Sequence, residues 1–237
     1  MEQVNGDLPT IAGASSLARR TGTAAKALGG PVNLSVGVQK YAQGVSCFEA
    51  RDFSGALAAF KEAIEVFEAE EKPVFVAKVH MNLGLVHWQL NDLEEAAKYY
   101  GQALTYFTAA NSPHETASAS LSLAGVLVLN KDYGAAEPLF LAAKTYYSSP
   151  GVANLKRVAD TQEGLGRVYY TTKRMNEALE MFQRSKTLRE ELQDYRRVAD
   201  CLVEIAETYT ALGQEEDARG AYHEAQHFYL QAGPMRD

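Results

Sequence analysis

The residues that most resemble a catalytic motif are two histidines near the end of the chain, in the run His223-Glu-Ala-Gln-His227. Residues four apart share one face of a helix, so the two imidazoles could bind zinc while Glu224 acts as a general base. A catalytic zinc needs a third protein ligand, and Asp237 is the only acidic residue after His227. The same segment also belongs to a repeated packing pattern, described below. We therefore predict that the protein is not an enzyme and holds no metal or other cofactor.

Composition and charge exclude several other classes of function. The 237 residues carry a net charge of −7, whereas binding of nucleic-acid phosphates requires a basic patch. No stretch has the roughly 18 apolar residues of a membrane span. We therefore expect no nucleic-acid partner and no membrane. Cys47 and Cys201 lie far apart within helical apolar patterns, which predicts two buried, reduced thiols and a cytoplasmic location.

A pattern of small and aromatic residues recurs five times along the chain. A small residue is followed after twelve positions by Ala, four positions later by an aromatic residue, and three positions later by another small residue. The five sets are Gly44, Ala56, Phe60, Ala63; Gly84, Ala96, Tyr100, Ala103; Ala124, Ala136, Phe140, Ala143; Gly166, Ala178, Phe182, Ser185; and Ala206, Ala218, Tyr222, Ala225. A fixed period of this kind is typical of stacked helix pairs.

Apolar residues at helical spacing and short polar breaks predict ten helices from Val36 onward. Pro73 and Pro113 each suit the first turn of a helix, where a missing backbone donor is tolerated. The predicted helices span about 36–50, 53–70, 74–90, 93–110, 113–130, 133–149, 152–172, 175–193, 195–212 and 215–232. They form five units, about 36–73, 74–112, 113–150, 151–194 and 195–232, preceded by a flexible arm (1–35) and followed by a short tail (233–237).

The arm has three basic residues and no acidic residue between Leu8 and Gly30. We interpret it as flexible, with a targeting segment or a segment that folds into the concave groove described below as the alternatives.

The repeated positions resemble the tetratricopeptide repeat (TPR). The best-matching stretch is Asn82-Leu-Gly-Leu-Val-His-Trp-Gln-Leu-Asn-Asp-Leu-Glu-Glu-Ala-Ala-Lys-Tyr-Tyr-Gly-Gln-Ala103, followed by Gly164-Leu-Gly-Arg-Val-Tyr-Tyr and its continuation to Phe182. The resemblance implies an all-α fold, a right-handed superhelical solenoid of five TPR helix-turn-helix units. It also implies a non-catalytic protein that binds other proteins.

The 40-residue period is similar to that of kinesin light chains and of the adaptor that links G-protein α subunits to spindle-orienting partners. In those families a repeated Asn before the Leu-Gly pair contacts the bound peptide, and here only Asn82 occupies that place. Co-chaperones of the family bind a C-terminal carboxylate through Lys, Asn and Arg. Of the matching positions in this chain, only Asn82 has the residue type found in the co-chaperones. The resemblance therefore does not imply binding of the C-terminal segments of chaperones.

In such a solenoid the first helix of each unit lines the concave groove. The implied groove is apolar in the first units and acidic in the last two. Its candidate partner-binding residues are Tyr41, Phe48, Asn82, Leu85, Trp88, Asp160, Glu163, Arg167, Asp200, Glu204 and Glu207. We therefore expect a protein or peptide partner with an apolar anchor and a basic stretch.

The predicted function is an adaptor or scaffold that holds a partner segment in the groove. The alternative is a structural subunit of a large cytoskeletal or ciliary assembly, with the corresponding location. No predicted helix follows residue 232 to cover Tyr222, Phe228 and Tyr229, so we also expect self-association or a capping partner at the last helix.

Overall fold

The computed structural model describes residues 35–233, which form ten α-helices and no strand. The helices are α1 Val36–Glu49, α2 Phe53–Ala69, α3 Pro73–Gln89, α4 Leu93–Ala109, α5 Pro113–Leu129, α6 Tyr133–Tyr147, α7 Leu155–Thr171, α8 Met175–Glu191, α9 Tyr195–Ala211 and α10 Glu215–Ala232. The predicted all-α class with five helix-turn-helix units is confirmed. The chain divides into two compact parts, up to Val126 and from Leu127 onward. Nearly all of the predicted arm and tail lies outside the described residues.

Most of the turns between helices share one backbone conformation, in which a residue with positive φ ends the preceding helix. At the end of α3, Asn91 takes a left-handed conformation (φ 59°), and its N–H donates to the Trp88 carbonyl at 2.9 Å. The next N–H, of Asp92, donates to the His87 carbonyl at 2.8 Å, which completes a Schellman motif. The Asp92 carboxylate then accepts from the Glu95 N–H and caps α4. Eight of the turns within residues 35–233 have such a left-handed residue: Arg51, Glu71, Asn91, Asn111, Lys131, Lys173, Gln193 and Gly213.

The connection between α6 and α7 differs from the others. The sequence predicts that the helix begins at about residue 152, but it begins at Leu155. Gly151 and Ala153 have positive φ (88° and 31°), which interrupts any helix through them. Asn154 then accepts from the Arg157 N–H at 3.1 Å and caps α7. The longer connection explains why Ala178 follows Ala136 by 42 residues, whereas the other repeated alanines follow one another by 40 residues.

The repeated small and aromatic residues meet within each hairpin. A Cβ atom added at Gly84 would lie 2.8 Å from the Tyr100 ring, and one added at Gly166 would lie 2.5 Å from the Phe182 ring. The glycine therefore provides the space in which the aromatic ring of its own hairpin packs. Phe60 additionally contacts the next hairpin, since it shares a buried cluster with residues of α1 and α3. The aromatic position thus serves both interfaces, which is why the pattern recurs strictly.

Candidate interaction surfaces

The apolar residues predicted to bind a partner lie on α1 and α3, in the part of the chain up to Val126. We call Tyr41, Phe48, Asn82, Leu85 and Trp88 the apolar first-helix surface. Tyr41, Leu85 and Asn82 are buried, whereas Phe48 and Trp88 are half-buried. Of these five side chains, only Phe48 and Trp88 are therefore substantially accessible to solvent.

Tyr41 and Asn82 are brought together by the packing of the first two hairpins. Burial raises the pKa of the Tyr41 hydroxyl, and its contact with the Asn82 side chain opposes that rise. The Asn82 Nδ2 atom is buried without a hydrogen bond of regular geometry. The pair thus forms a polar contact inside an apolar cluster that includes Val45 and Phe60.

Phe48 and Trp88 pack against different clusters. The Phe48 ring lies 5.7 Å from the Phe53 ring, in an edge-on arrangement at the first turn. Trp88 packs against the buried cluster of Ala96, Tyr100 and Val126. Both rings are held from one side and reach solvent on the other, which is a suitable arrangement for an anchor pocket.

The five predicted acidic residues lie in the part of the chain from Leu127 onward, and four of them are paired with arginines. Glu163 on α7 is only 3% exposed. Its carboxylate contacts Arg167 at 2.9 Å, Arg197 at 3.1 Å and Arg189 at 3.8 Å. Burial acts to lower the pKa of Arg167, but the nearby carboxylates of Glu163 and Glu204 outweigh it and raise that pKa.

Arg189 on α8 is the residue of this network that the sequence interpretation missed. It is 1% exposed and donates to the Asp160 carboxylate. Seven positions after the repeated aromatic residue, the first three hairpins bury the rings of Phe67, Phe107 and Tyr147, and the fourth buries this guanidinium. The sequence could have revealed it, because Arg189 stands at a position that holds an aromatic residue in the first three hairpins. A buried guanidinium needs carboxylate partners, and α7 supplies them.

The other predicted charged residues surround this ion-pair network. Arg167 donates to Glu204 at 2.7 Å, joining α7 to α9. Asp200 accepts from the Tyr229 hydroxyl at 2.7 Å and lies 3.7 Å from Arg197. Glu207 is exposed. These carboxylates therefore form a surface in which charges of both signs alternate, rather than a purely acidic one.

A second surface is formed by residues of α10 together with Val203 of α9. We call Val203, Tyr222, Ala225, Gln226, Tyr229 and Leu230 the C-terminal face; they line an open, mainly apolar pocket of about 360 Å³. Tyr222 is 44% exposed, Tyr229 37% and Leu230 77%. Phe228, which the sequence grouped with them, is half-buried against Tyr195, with ring centroids 6.0 Å apart.

The zinc-like run lies on the exposed side of α10. His223 and His227 are exposed, and the Glu224 carboxylate pairs with Lys186 at 2.8 Å. Within residues 35–233, no three His, Cys, Asp or Glu side chains are grouped so that they could hold a metal ion. In the same range, none of the helices is both long enough and apolar enough to cross a membrane.

Both cysteines are free thiols, Cys201 buried and Cys47 half-buried. Burial raises the pKa of the Cys201 thiol to about 12.

Comparisons with known proteins agree with this architecture. Models of the tetratricopeptide repeat match residues 41–114, 81–153 and 157–232. A search of curated protein sequences gives no match. Among solved structures, BtubC (BKLC) from P. vanneervenii is similar over 96% of this chain and 94% of its own, with a TM-score of 0.75 and 20% identity.

Two further solved structures are similar over most of the chain. The apo form of RapI matches 83% of this chain and 71% of its own, with a TM-score of 0.75 and 14% identity. A Podosopora anserina chain described as kinesin light chain with nearly identical TPR-like repeats matches 81% and 94%, with a TM-score of 0.67 and 12% identity. At these identities the likeness is one of fold alone.

Proposed function

Because the chain belongs to the tetratricopeptide repeat family, a family of protein-interaction folds, we propose that it is a non-catalytic adaptor that binds a segment of a protein partner along the first helices of its hairpins. The residues proposed to take part are Tyr41, Phe48, Asn82, Leu85, Trp88, Asp160, Glu163, Arg167, Asp200, Glu204 and Glu207.

The observation that carries the proposal is the partial exposure of Trp88. It is the only tryptophan of the chain, and it is held by a buried cluster on one side while the other side reaches solvent. Large aromatic side chains fixed in this way contribute strongly to binding, because they bury much area at little loss of conformational freedom. Phe48 supplies a second anchor of the same kind.

The apolar anchor of the expected partner has stronger support than its basic stretch. Four of the five proposed carboxylates already face arginine side chains. A partner that binds there must exchange these ion pairs for its own. We therefore expect the charged residues to affect partner choice and association rate more than affinity.

The test compares Trp88→Ala with Leu141→Ala. Leu141 is an apolar residue on α6 with 42% exposure, outside the proposed surface. Each full-length protein is used to capture partners from extract of its source cells, with quantitative mass spectrometry. The proposal expects a set of proteins that the wild type and the Leu141 variant retain and the Trp88 variant loses about tenfold or more. If the Trp88 variant keeps its fold and captures the same proteins in the same amounts, the anchor role is refuted.

The absence of catalysis and the cytoplasmic location are parts of the same proposal. Glu224, which would act as the base beside His223, is engaged by Lys186. The free thiols support a reducing compartment. Stoichiometric zinc in purified protein, lost on changing His223, would contradict the non-catalytic assignment.

A structural role in a large assembly, cytoskeletal or ciliary, is the second candidate. The C-terminal face favours it, since two tyrosines and a leucine are exposed there. The two candidates differ in exchange: an adaptor releases its partner on dilution, whereas a structural subunit stays bound. Dissociation of the isolated complex, followed by mass photometry at nanomolar concentration, distinguishes them.

A further inference from the structure

The C-terminal face stands at positions that are buried in the preceding hairpin. Tyr222 and Tyr229 on α10 correspond to Phe182 and Arg189 on α8, one repeat earlier. The two α8 side chains are at most 1% exposed, whereas Tyr222 is 44% and Tyr229 37% exposed. The difference arises because the helix that follows α8, namely α9, packs against it. Within residues 35–233 the C-terminal face therefore resembles an interface without its covering helix.

The first hairpins show what kind of helix covers such a face. Phe60 and Phe67 on α2 correspond to Tyr222 and Tyr229, and they share a buried cluster with residues of α3. The α3 residues of this cluster have the spacing i, i+3, i+7 and i+10, which forms one apolar stripe along a helix. They are Val76, Val79, Leu83 and Val86. The exposed rings of the C-terminal face therefore fit the apolar stripe of a single amphipathic helix.

One side of the C-terminal face is bordered by carboxylates of α9, which we call the acidic edge. They have the spacing i, i+4 and i+7, and they are Asp200, Glu204 and Glu207. Asp200 accepts from the Tyr229 hydroxyl at 2.7 Å, which places one end of the acidic edge beside the face. Burial raises the pKa of Tyr170 on α7, and the other two carboxylates and Tyr222 raise it further, so these groups lie close together. A helix bound on the face therefore lies beside the acidic edge.

The last hairpin keeps a negative charge after its ion pairs are counted. Residues 195–233 contain seven acidic and three basic residues. Two basic residues of the preceding hairpin, Arg167 and Lys186, pair with Glu204 and Glu224. The seven acidic residues still outnumber these two and the three together. A partner helix with lysine or arginine beside its apolar stripe therefore has a complementary charge.

A second copy of this chain is a less suitable occupant of the face. Pairing of two C-terminal faces would bring two acidic edges together, which is unfavourable. The first helix of a second copy has two glutamines at the positions of the α3 stripe. These positions of α1 are Val36, Gln39, Gln43 and Ser46, and all four are exposed. Stacking α1 on α10 would bury the two glutamine amides, which costs free energy unless each finds a hydrogen-bond partner.

We propose that the C-terminal face binds one amphipathic helix of a second protein, with an apolar stripe over Tyr222 and Tyr229 and with lysine or arginine residues beside the acidic edge. The stripe needs the spacing that α3 uses in its cluster with α2. Leu230, with 77% exposure, and the apolar pocket of about 360 Å³ accommodate its side chains. This site shares carboxylates with the partner site proposed above, but not the apolar first-helix surface. Variants of Trp88 and of Leu230 therefore distinguish the two sites.

Binding of a synthetic helix to the full-length protein tests the proposal. The probe is a fluorescent, hydrocarbon-stapled, alanine-based peptide with leucines spaced i, i+3, i+7 and i+10 and lysines along one flank of that stripe. The matched control peptide has glutamate in place of each lysine. By fluorescence anisotropy we expect the lysine peptide to bind about tenfold more tightly than the glutamate peptide, because only the lysine peptide complements the acidic edge.

Variants of the protein locate the binding site. Leu230→Ala should weaken binding of the lysine peptide about tenfold, because it removes an apolar contact of the face. Leu141→Ala, the same change at a leucine of α6 with 42% exposure, should leave binding unchanged, and so should Trp88→Ala. Equal affinity of the two peptides, no binding of the lysine peptide, or equal binding to the wild type and to Leu230→Ala would overturn the proposal. A loss caused by Trp88→Ala instead would assign the peptide to the apolar first-helix surface, which also overturns it.

Two further measurements examine the face in the unmodified protein. The lysine peptide should slow hydrogen exchange of the α10 amides by about threefold or more, and unchanged exchange in α10 would contradict binding there. Sedimentation velocity of the protein alone tests the second copy as an occupant. We expect the wild type and Leu230→Ala to sediment alike. A dimer that the wild type forms and Leu230→Ala abolishes would overturn the proposal, since a second copy would then cover the face.

Discussion

Replacing Gly84 by alanine tests the packing on which the repeat depends. A Cβ atom at this position would lie 2.8 Å from Cδ1 and Cε1 of Tyr100. The Tyr100 ring is fully buried and cannot move aside without displacing its neighbours. Gly101 on the neighbouring helix α4 is a matched control, because nothing lies within 4 Å of a Cβ atom there.

The two substitutions should change stability in opposite directions. Alanine is favoured over glycine in a helix by about 1 kcal/mol, and this gain applies to both positions. At Gly84 the added methyl group overpacks the hairpin, which costs about 1–3 kcal/mol. The expected net effects are a gain of about 1 kcal/mol for Gly101→Ala and a loss of up to about 2 kcal/mol for Gly84→Ala.

Urea unfolding measures the difference, followed by circular dichroism and by the fluorescence of Trp88. Trp88 is the only tryptophan and lies one turn after Gly84, so its signal reports on the affected hairpin. Two signals are needed because repeat arrays do not always unfold in one step. If Gly84→Ala stabilises the chain as much as Gly101→Ala, the close approach between glycine and ring is not the reason for the repeated small residue.

Three further predictions concern buried polar groups. Arg189→Met should lower the free energy of unfolding by about 3 kcal/mol, since it removes the buried guanidinium that donates to the Asp160 carboxylate. Arg184→Met, in an exposed ion pair on the same helix, should change it by less than about 1 kcal/mol. Burial lowers the pKa of His80 in the folded chain, so as pH falls the unfolded chain binds the proton first. The free energy of unfolding of the wild type should therefore decrease between pH 7 and pH 5, and this decrease should be smaller in His80→Phe. A thiol reagent should modify Cys47 in the native chain and reach Cys201 only after unfolding, because burial raises the pKa of the Cys201 thiol to about 12.

Each of these has a clear contrary result. Equal losses for the two arginine variants in urea unfolding would mean that the buried network contributes no more than an exposed pair. Parallel pH profiles for the histidine variant and the wild type would remove His80 as the titrating group. Modification of both thiols at one rate in native buffer would show that α9 opens readily.

The positions of the helices could be predicted because they depend on interactions close in sequence. Apolar spacing, proline at helix starts and polar turn residues placed nine of the ten helices within about two residues. The start of α7 was missed because Ala153 adopts a positive φ that its residue type does not indicate. The sequence also placed the aromatic residues proposed as anchors on α1 and α3, but it did not indicate that Tyr41 and Leu85 would be buried.

The sequence by itself determined the family, the five hairpins and the non-polar character of their interfaces, since a 40-residue period repeats the same local contacts. Only the tertiary structure decided how charge is distributed over the last hairpins. Arg189 meets Asp160 across 29 residues, and Arg167 meets Glu204 across 37. Spacing along the chain does not specify such pairs, because they arise where neighbouring helices bring side chains of opposite charge together and exclude water around them.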